Sequence, residues 1–308
     1  MMIKNTNNVL SSILVILIFT SCTIIPSLSA AALKRGGGGR PTKVISNTGP
    51  TDAYQQTLAE TFILMAYNSY CVQSEILDWS CTNCQKLPQV TVGQVIYSNS
   101  TDTQAYVATY SNEYVYVAFR GSMDIESWIT NLQFLQETYP GVPDALVHSG
   151  FYNAYKSVQQ QVQVALQNAV KACPTCKQLY VIGHSLGGAL ASLCMADVVQ
   201  WFPSMYTESY TFGSPRVGNA YWVSYYNSIQ PNNYRIVNQD DLVPHVPPKG
   251  IIPIYDHVPT EVWYKSNATE NYKICDDSGE DPTCSDSVNP LFFSIYDHLH
   301  YFDQHCCC

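Results

Sequence analysis

The chain has 308 residues, 46% of them hydrophobic and only 13% charged, with a formal net charge of −9. This composition excludes an intrinsically disordered protein. The acidic balance excludes a nucleic-acid binder or an electrostatic dock on anionic membranes, since no basic surface is available to neutralise phosphates.

In chain order, Lys4, the largely apolar run from Val9 to Ile25 and the small residues Ser27-Leu28-Ser29-Ala30 read as a secretory signal over residues 1–30. Ser21, Cys22, Thr23 and Pro26 leave that run short and broken for a span, so no stable membrane anchor is expected. Residues 31–43 carry Lys34-Arg35 and Gly36-Gly37-Gly38-Gly39, a flexible linker or short pro-segment. Residues 44–308 hold no repeat and no second linker, and they suffice for one large core, which predicts a single domain. Twelve cysteines suit an oxidising compartment, and Asn99-Ser100-Thr101 and Asn267-Ala268-Thr269 are N-glycosylation acceptors. A secreted, extracellular protein is expected.

Between Gln55 and Tyr70, Leu58, Phe62, Met65 and Ala66 recur at helical spacing. Tyr114-Val115-Tyr116-Val117-Ala118-Phe119 is aromatic and β-branched, as a buried strand is. Phe151, Tyr155, Val158, Val162, Leu166 and Ala169 again follow helical spacing. Leu179-Tyr180-Val181-Ile182 reads as a strand and Leu186 to about Trp201 as a helix; Ser209-Tyr210-Thr211-Phe212 and Tyr234-Arg235-Ile236-Val237 are two more strands. This alternation predicts an α/β fold with a mostly parallel sheet covered on both faces, and function at the carboxyl ends of its strands.

Gly183-His184-Ser185-Leu186-Gly187 joins one such strand to the following helix. Strand, Gly-x-Ser-x-Gly and helix form a nucleophile elbow, in which the glycines let strand and helix approach and a strained turn presents the serine. The elbow predicts Ser185 as the nucleophile of an α/β-hydrolase fold. Serine needs a base, and the base an orienting carboxylate, in the chain order Ser, acid, His. The strand at Tyr234 runs into Asp240 and Asp241, either of which can be the acid. His245, His257, His298, His300 and His305 remain as bases. His245 follows Asp241 too closely for free aiming, whereas His298 lies near the C-terminus, where the order expects the base.

Four runs together resemble the class 3 lipase family of the filamentous-fungal type. They are Val117-Ala118-Phe119-Arg120-Gly121-Ser122, Gly183-His184-Ser185-Leu186-Gly187-Gly188, Val237-Asn238-Gln239-Asp240-Asp241-Leu242-Val243-Pro244-His245 and Asp297-His298-Leu299-His300-Tyr301-Phe302. The resemblance spans nearly all of the mature chain, in order. It implies Asp241 as acid, His298 as base, and His184, His245 and Asp297 as scaffold. It implies an oxyanion hole from the Leu186 N–H and from Ser122. It also implies bridges Cys81–Cys84, Cys275–Cys284 and Cys71 to Cys306, Cys307 or Cys308. Cys173-Pro174-Thr175-Cys176 is additional, and a local disulfide is expected there; Cys194 is expected to be a buried free thiol. No His-x-x-x-His or similar ligand cluster occurs, so no metal and no cofactor are expected.

After Ser122, the run Met123-Asp124-Ile125-Glu126-Ser127-Trp128-Ile129 sets Ile125, Trp128 and Ile129 on one helical face. Where the family carries its lid, this apolar segment is expected to be a mobile cover rather than an ordinary buried helix. The expectation is a monomeric triacylglycerol lipase acting on lipid esters at an oil–water interface through an acyl-serine. A feruloyl-type esterase and a catalytically silent lipid-binding homologue are the rivals.

Overall fold

In the computed structural model, which describes residues 53–229, 232–250, 252–266 and 271–308, the apolar spacing at Phe62, Met65 and Ala66 becomes α1 (Gln56–Asn68). The signal, the linker and the Asn267 acceptor lie outside the described residues. A short α2 (Gln73–Leu77) precedes three antiparallel strands, β1 (Val90–Ser98), β2 (Thr103–Tyr110) and β3 (Tyr114–Phe119). Next come α3 (Ile125–Asn131), the two-stranded β4 (Gln136–Thr138) and β5 (Leu146–His148), and the helices α4 (Ser149–Lys156) and α5 (Gln159–Ala172). The central unit follows: β6 (Gln178–His184), α6 (Leu186–Trp201), β7 (Tyr206–Phe212), α7 (Ala220–Ser228) and β8 (Asn232–Asn238). The remainder holds β9 (Glu261–Tyr264), β10 (Tyr272–Ile274), the one-turn α8 (Ile295–His298) and the small β11 (His300–Tyr301) and β12 (Gln304–His305).

Eight strands form one sheet in the order β1-β2-β3-β6-β7-β8-β9-β10. The five strands from β3 to β9 pair in parallel, and antiparallel partners flank them on both sides. Alternate side chains serve opposite layers, as the period of two requires. Val115, Val117, Leu179 and Val181 face α4, α5 and α6, whereas Tyr116, Tyr180 and Ile182 face α1. On that second face Phe62 packs its ring against Tyr114, Tyr180 and Tyr210 at centroid distances of 5.8, 4.8 and 5.0 Å. Both faces being covered, β6 is buried from Leu179 to its end, and the chain leaves it in the middle of the sheet.

Two differences from the sequence reading have local causes. The helical spacing from Phe151 to Ala169 is shared between two helices, because the chain breaks at Ser157 and Val158. There the Ser157 hydroxyl donates to the Ala154 carbonyl and meets Thr101 Oγ1 at 2.7 Å, tying the corner to the β1–β2 turn. That turn also exposes the Asn99 acceptor. The unexpected strand β1 is masked in sequence by a bulge between Val92 and Gln94, which interrupts the alternation, and β2 by burial of its first six residues, which leaves none to see.

Cys81–Cys84, Cys173–Cys176 and Cys275–Cys284 are bridged, Cys306 is joined to Cys307, and Cys194 is free and buried. Among the three terminal cysteines it is Cys308 that pairs with Cys71, across a separation of 237 residues. Closing so long a loop stabilises by about 5–6 kcal/mol in the chain-entropy description. A Cys71→Ser variant is expected to lose stability on that scale in urea unfolding; a loss below about 1 kcal/mol, within the range seen for weak cross-links, would show that the bridge does not constrain the unfolded chain.

Candidate active site

The turn out of β6 forces Ser185 to φ 59° and ψ −132°, a conformation that costs an L-residue about 1–2 kcal/mol. Its N–H donates to the Phe212 carbonyl at 2.9 Å, which holds the turn against β7. A Cβ on Gly183 would meet the Gly187 carbonyl, and one on Gly187 would meet the Phe119 carbonyl. Glycine is therefore required at both places for α6 to start directly over the sheet. Ser185 is 1% exposed, and its Oγ has no hydrogen-bond partner. The Leu186 N–H opens the positive end of α6, while the Gly188 N–H donates to the Ser185 carbonyl at 2.8 Å.

Asp241 lies just past the end of β8 and His298 at the end of α8. A parallel bridge joins Asp241 to Ser294, and the Ser294 N–H donates to the Asp240 carbonyl at 2.8 Å, so α8 is carried to the strand end by backbone pairing. His298 Nδ1 lies 2.9 and 3.0 Å from the two Asp241 oxygens, with both side chains fully buried. The carboxylate also accepts the Val243 N–H at 2.8 Å and the Tyr301 hydroxyl at 2.5 Å. Burial and the neighbouring Asp241 charge raise the Tyr301 phenol well above its ordinary value, so it remains a proton donor. With Nδ1 on the carboxylate, His298 presents Nε2, which has no partner either. Ser185 Oγ and His298 Nε2 are thus both buried and unpartnered, and His184, the residue before the serine, stacks on the His298 ring at 4.5 Å.

The other candidate groups are engaged elsewhere. Asp240 offers its backbone to Ser294 and to Asp297. His245 stacks on Phe293 and lies 3.8 Å from Asp286; burial, with the Arg216 and Arg235 charges adding, depresses it to about 3. His257 is bonded to the Pro244 carbonyl, and His300 to the Tyr296 carbonyl. His305 pairs with His300 in the terminal hairpin. Cys173 caps the C-terminus of α5, where the negative helix end disfavours a thiolate, so the Cys173–Cys176 pair has no redox setting.

The turn after β3 runs beside Ser185: a Cβ on Gly121 would stand 3.0 Å from the Ser185 Cβ. Ser122, next in the chain, is half-buried there. Asp124 then caps α3, accepting the Ser127 N–H at 3.0 Å and its hydroxyl at 2.7 Å. Trp128 stacks on buried Phe151 at 6.1 Å, Ile129 is buried, and Ile125 is half-buried. Met123 departs from that apolar face and is 62% exposed.

The profile of the class 3 lipase family matches residues 116–251. A lipase of Rhizomucor miehei is 35% identical over 247 residues, covering 78% of this chain and 67% of its own. A lipase of Rhizopus niveus is 38% identical over 230 residues, and the chain spans 57% of that relative's length. A solved structure of a triacylglycerol lipase, reported as carrying a serine-protease triad as its catalytic centre, superposes with a TM-score of 0.76 at 33% identity. It covers 82% of this chain and 97% of its own.

The chain belongs to the class 3 lipase family. It is an α/β-hydrolase by fold and a carboxylic ester hydrolase by class.

The sequence reading of this lipase missed several residues around Ser185. Gly213, at the end of β7, has φ +56°, and a Cβ there would lie 2.5 Å from Asp241 Oδ2 and 2.7 Å from His298 Nδ1. A glycine at the carboxyl end of the strand beside the nucleophile strand was a legible signal. Tyr301, Tyr70 and Asn238 carried none, since their partners are remote in sequence. Among the described residues no helix is long and apolar enough to cross a membrane.

Proposed function

We propose that this lipase cleaves lipid esters through an acyl-serine formed on Ser185, with His298 as general base, Asp241 as its orienter, and Ser122 and Leu186 as oxyanion donors. The observation that supports this reading best is the fully buried Asp241–His298 pair, whose Nε2 is unpartnered like the Ser185 hydroxyl and whose imidazole stacks on His184, the residue before Ser185. His298 Nε2 takes the hydroxyl proton as Oγ attacks the ester carbonyl, and the negative charge develops on the carbonyl oxygen. The imidazolium returns that proton to the leaving alcohol. Water then attacks the acyl-serine by the same proton relay and releases the fatty acid.

The N–H of Leu186, at the positive end of α6, and the N–H and hydroxyl of Ser122 would face the developing oxyanion. Losing one such donor typically costs about 10²–10³ in kcat. Ser122→Ala is therefore expected to fall by that factor with its unfolding midpoint unchanged. Normal turnover would remove Ser122 from the oxyanion hole.

Trp128 on Phe151, and buried Ile129, support reading α3 as a lid. Burying a large apolar side chain is worth roughly 1.5–3 kcal/mol, enough for two of them to hold the helix shut in water. A lipid surface offers the same burial to the opened face. Rate plotted against the concentration of a short-chain triacylglycerol is expected to step upward at its solubility limit, and a smooth curve through that limit would rule out interfacial activation. The apolar lid favours lipid esters over cell-wall esters. Comparing emulsified triacylglycerol with methyl ferulate, each with wild type and Ser185→Ala, tests the substrate class directly. Secretion and a monomeric state belong to the same reading, supported by the signal-like N-terminus and the cystine content.

A further inference from the structure

His184, the residue before the proposed nucleophile, is fully enclosed. Tyr67 and Tyr301 meet its ring edge-on at 5.2 and 5.9 Å, and the His298 ring stacks on it at 4.5 Å, inclined by 28°. Its Nε2 lies 2.8 Å from the His298 carbonyl oxygen and its Nδ1 lies 2.8 Å from the Tyr70 hydroxyl. A carbonyl oxygen only accepts, so the ring proton belongs on Nε2 and the Tyr70 hydroxyl donates to the Nδ1 lone pair. That hydroxyl also lies 3.4 Å from the His184 carbonyl oxygen. Both nitrogens are thereby committed, and a single tautomer satisfies both contacts.

The chain around His298 is held by a run of such contacts. Asn238 donates to the carbonyls of Asp297 and His300, His184 to that of His298, and the Cys306 N–H, at 2.8 Å, to that of Leu299. Of these donors only His184 adjoins Ser185 in sequence. It therefore links the strand end that sets the serine to the segment that sets the base. Gly121 clears the space for this link, since a Cβ there would collide with the Tyr70 hydroxyl and stand 2.7 Å from the His184 carbonyl oxygen.

We propose that His184, locked by Tyr70, is a positioning residue that fixes where His298 stands relative to Ser185. The proposal rests on Ser185 and His298 acting as nucleophile and base. Without the Tyr70 hydroxyl, His184 can turn its lone pair toward the His298 carbonyl, which repels it and releases the base segment. Burial keeps His184 itself neutral, with the adjacent His298 ring adding to that effect. The ring thus offers an uncharged face to the imidazolium that forms on His298 during turnover.

The test uses the full-length protein, with kcat and KM measured on a soluble short-chain ester and the rate of phosphonylation by a fluorophosphonate measured alongside. Misplacing a reacting group by about 1 Å can cost about 10²-fold. His184→Phe is accordingly expected to lose about 10–100-fold in kcat and in phosphonylation rate, with KM held within about twofold. His184→Gln, which keeps one acceptor and one donor, is expected to recover most of that loss. Tyr70→Phe removes one hydroxyl without changing the packing volume and is expected to lose about 3–10-fold, a fraction of the same misplacement cost. It remains informative where His184→Phe fails to fold. Wild-type rates in Tyr70→Phe, or equal losses in the Phe and Gln variants of His184, would overturn the proposal. Ser185→Ala and His298→Ala serve as controls: activity retained in those would instead refute the underlying assignment of nucleophile and base.

Discussion

Ser185→Ala is expected to lower kcat by a factor on the order of 10⁶, as removal of a triad serine does, while the protein remains folded. The size follows from the site's construction. The neighbouring groups are otherwise engaged, the Asp241 oxygens by His298, Val243 and Tyr301 and the Tyr70 hydroxyl by His184. Rate on a soluble ester and labelling by a fluorophosphonate should be lost together. A companion substitution separates chemistry from strain. Ser185 stands at φ 59°, where glycine meets no Cβ penalty, so Ser185→Gly should be equally inactive yet about 1 kcal/mol more stable than Ser185→Ala. Retention of activity within tenfold in either variant would place the nucleophile elsewhere.

Gly213→Ala is expected to be the most damaging change at a residue that performs no chemistry. Two costs combine. Alanine at φ +56° carries about 1–2 kcal/mol of backbone strain, and its methyl would overpack a site whose nearest atoms are Asp241 Oδ2, His298 Nδ1 and His298 Cε1, all within 2.8 Å. Overpacking a filled interior typically costs about 1–3 kcal/mol, so the unfolding free energy should fall by about 2–5 kcal/mol. The space can be found only by moving the imidazole or its carboxylate. A shift of about 1 Å in the base lowers turnover about 10²-fold. Both losses should appear together in urea unfolding and in kcat; a stable, fully active variant would show that His298 does not need its observed place.

Much of this arrangement was readable before any coordinates. The strand at Tyr114–Phe119 and the helix Leu186–Trp201 emerge with the bounds expected of them, because each is a long, strongly patterned segment whose local preference agrees with its place in the core. The elbow was legible for the same reason: the two glycines, the serine and the flanking elements all lie within one short run. The antiparallel strands β1 and β2 were not legible, since a bulge breaks the alternation of β1, and β2, buried over its first six residues, has no alternation. Nor was the short β10, which has only three residues.

Residue chemistry and chain order left Asp240 and Asp241 open but already favoured His298 among five histidines; the family resemblance singled out Asp241, 57 residues before His298. What separates Asp241 from Asp240 physically is the turn after β8, where one aspartate supplies its carboxylate to His298 and the other its backbone to Ser294 and Asp297. In the same way three adjacent cysteines are chemically equal, and only the path of the β11–β12 hairpin brings Cys308 to Cys71.

By itself, then, the sequence determined the fold class, through alternating strand and helix patterns, and located the Gly183–Gly187 turn and the apolar segment after Ser122, because each of those patterns is legible within a dozen or so residues. Tertiary structure alone decided that Gly213 must be bare, that Tyr301 stands on Asp241, and that Tyr70 reaches His184 and His184 the His298 backbone, each across 114 residues. Such contacts are made between side chains from separate strands and helices at the carboxyl ends of the central strands. Their distances are set by how the layers pack, and no local pattern in the chain records them.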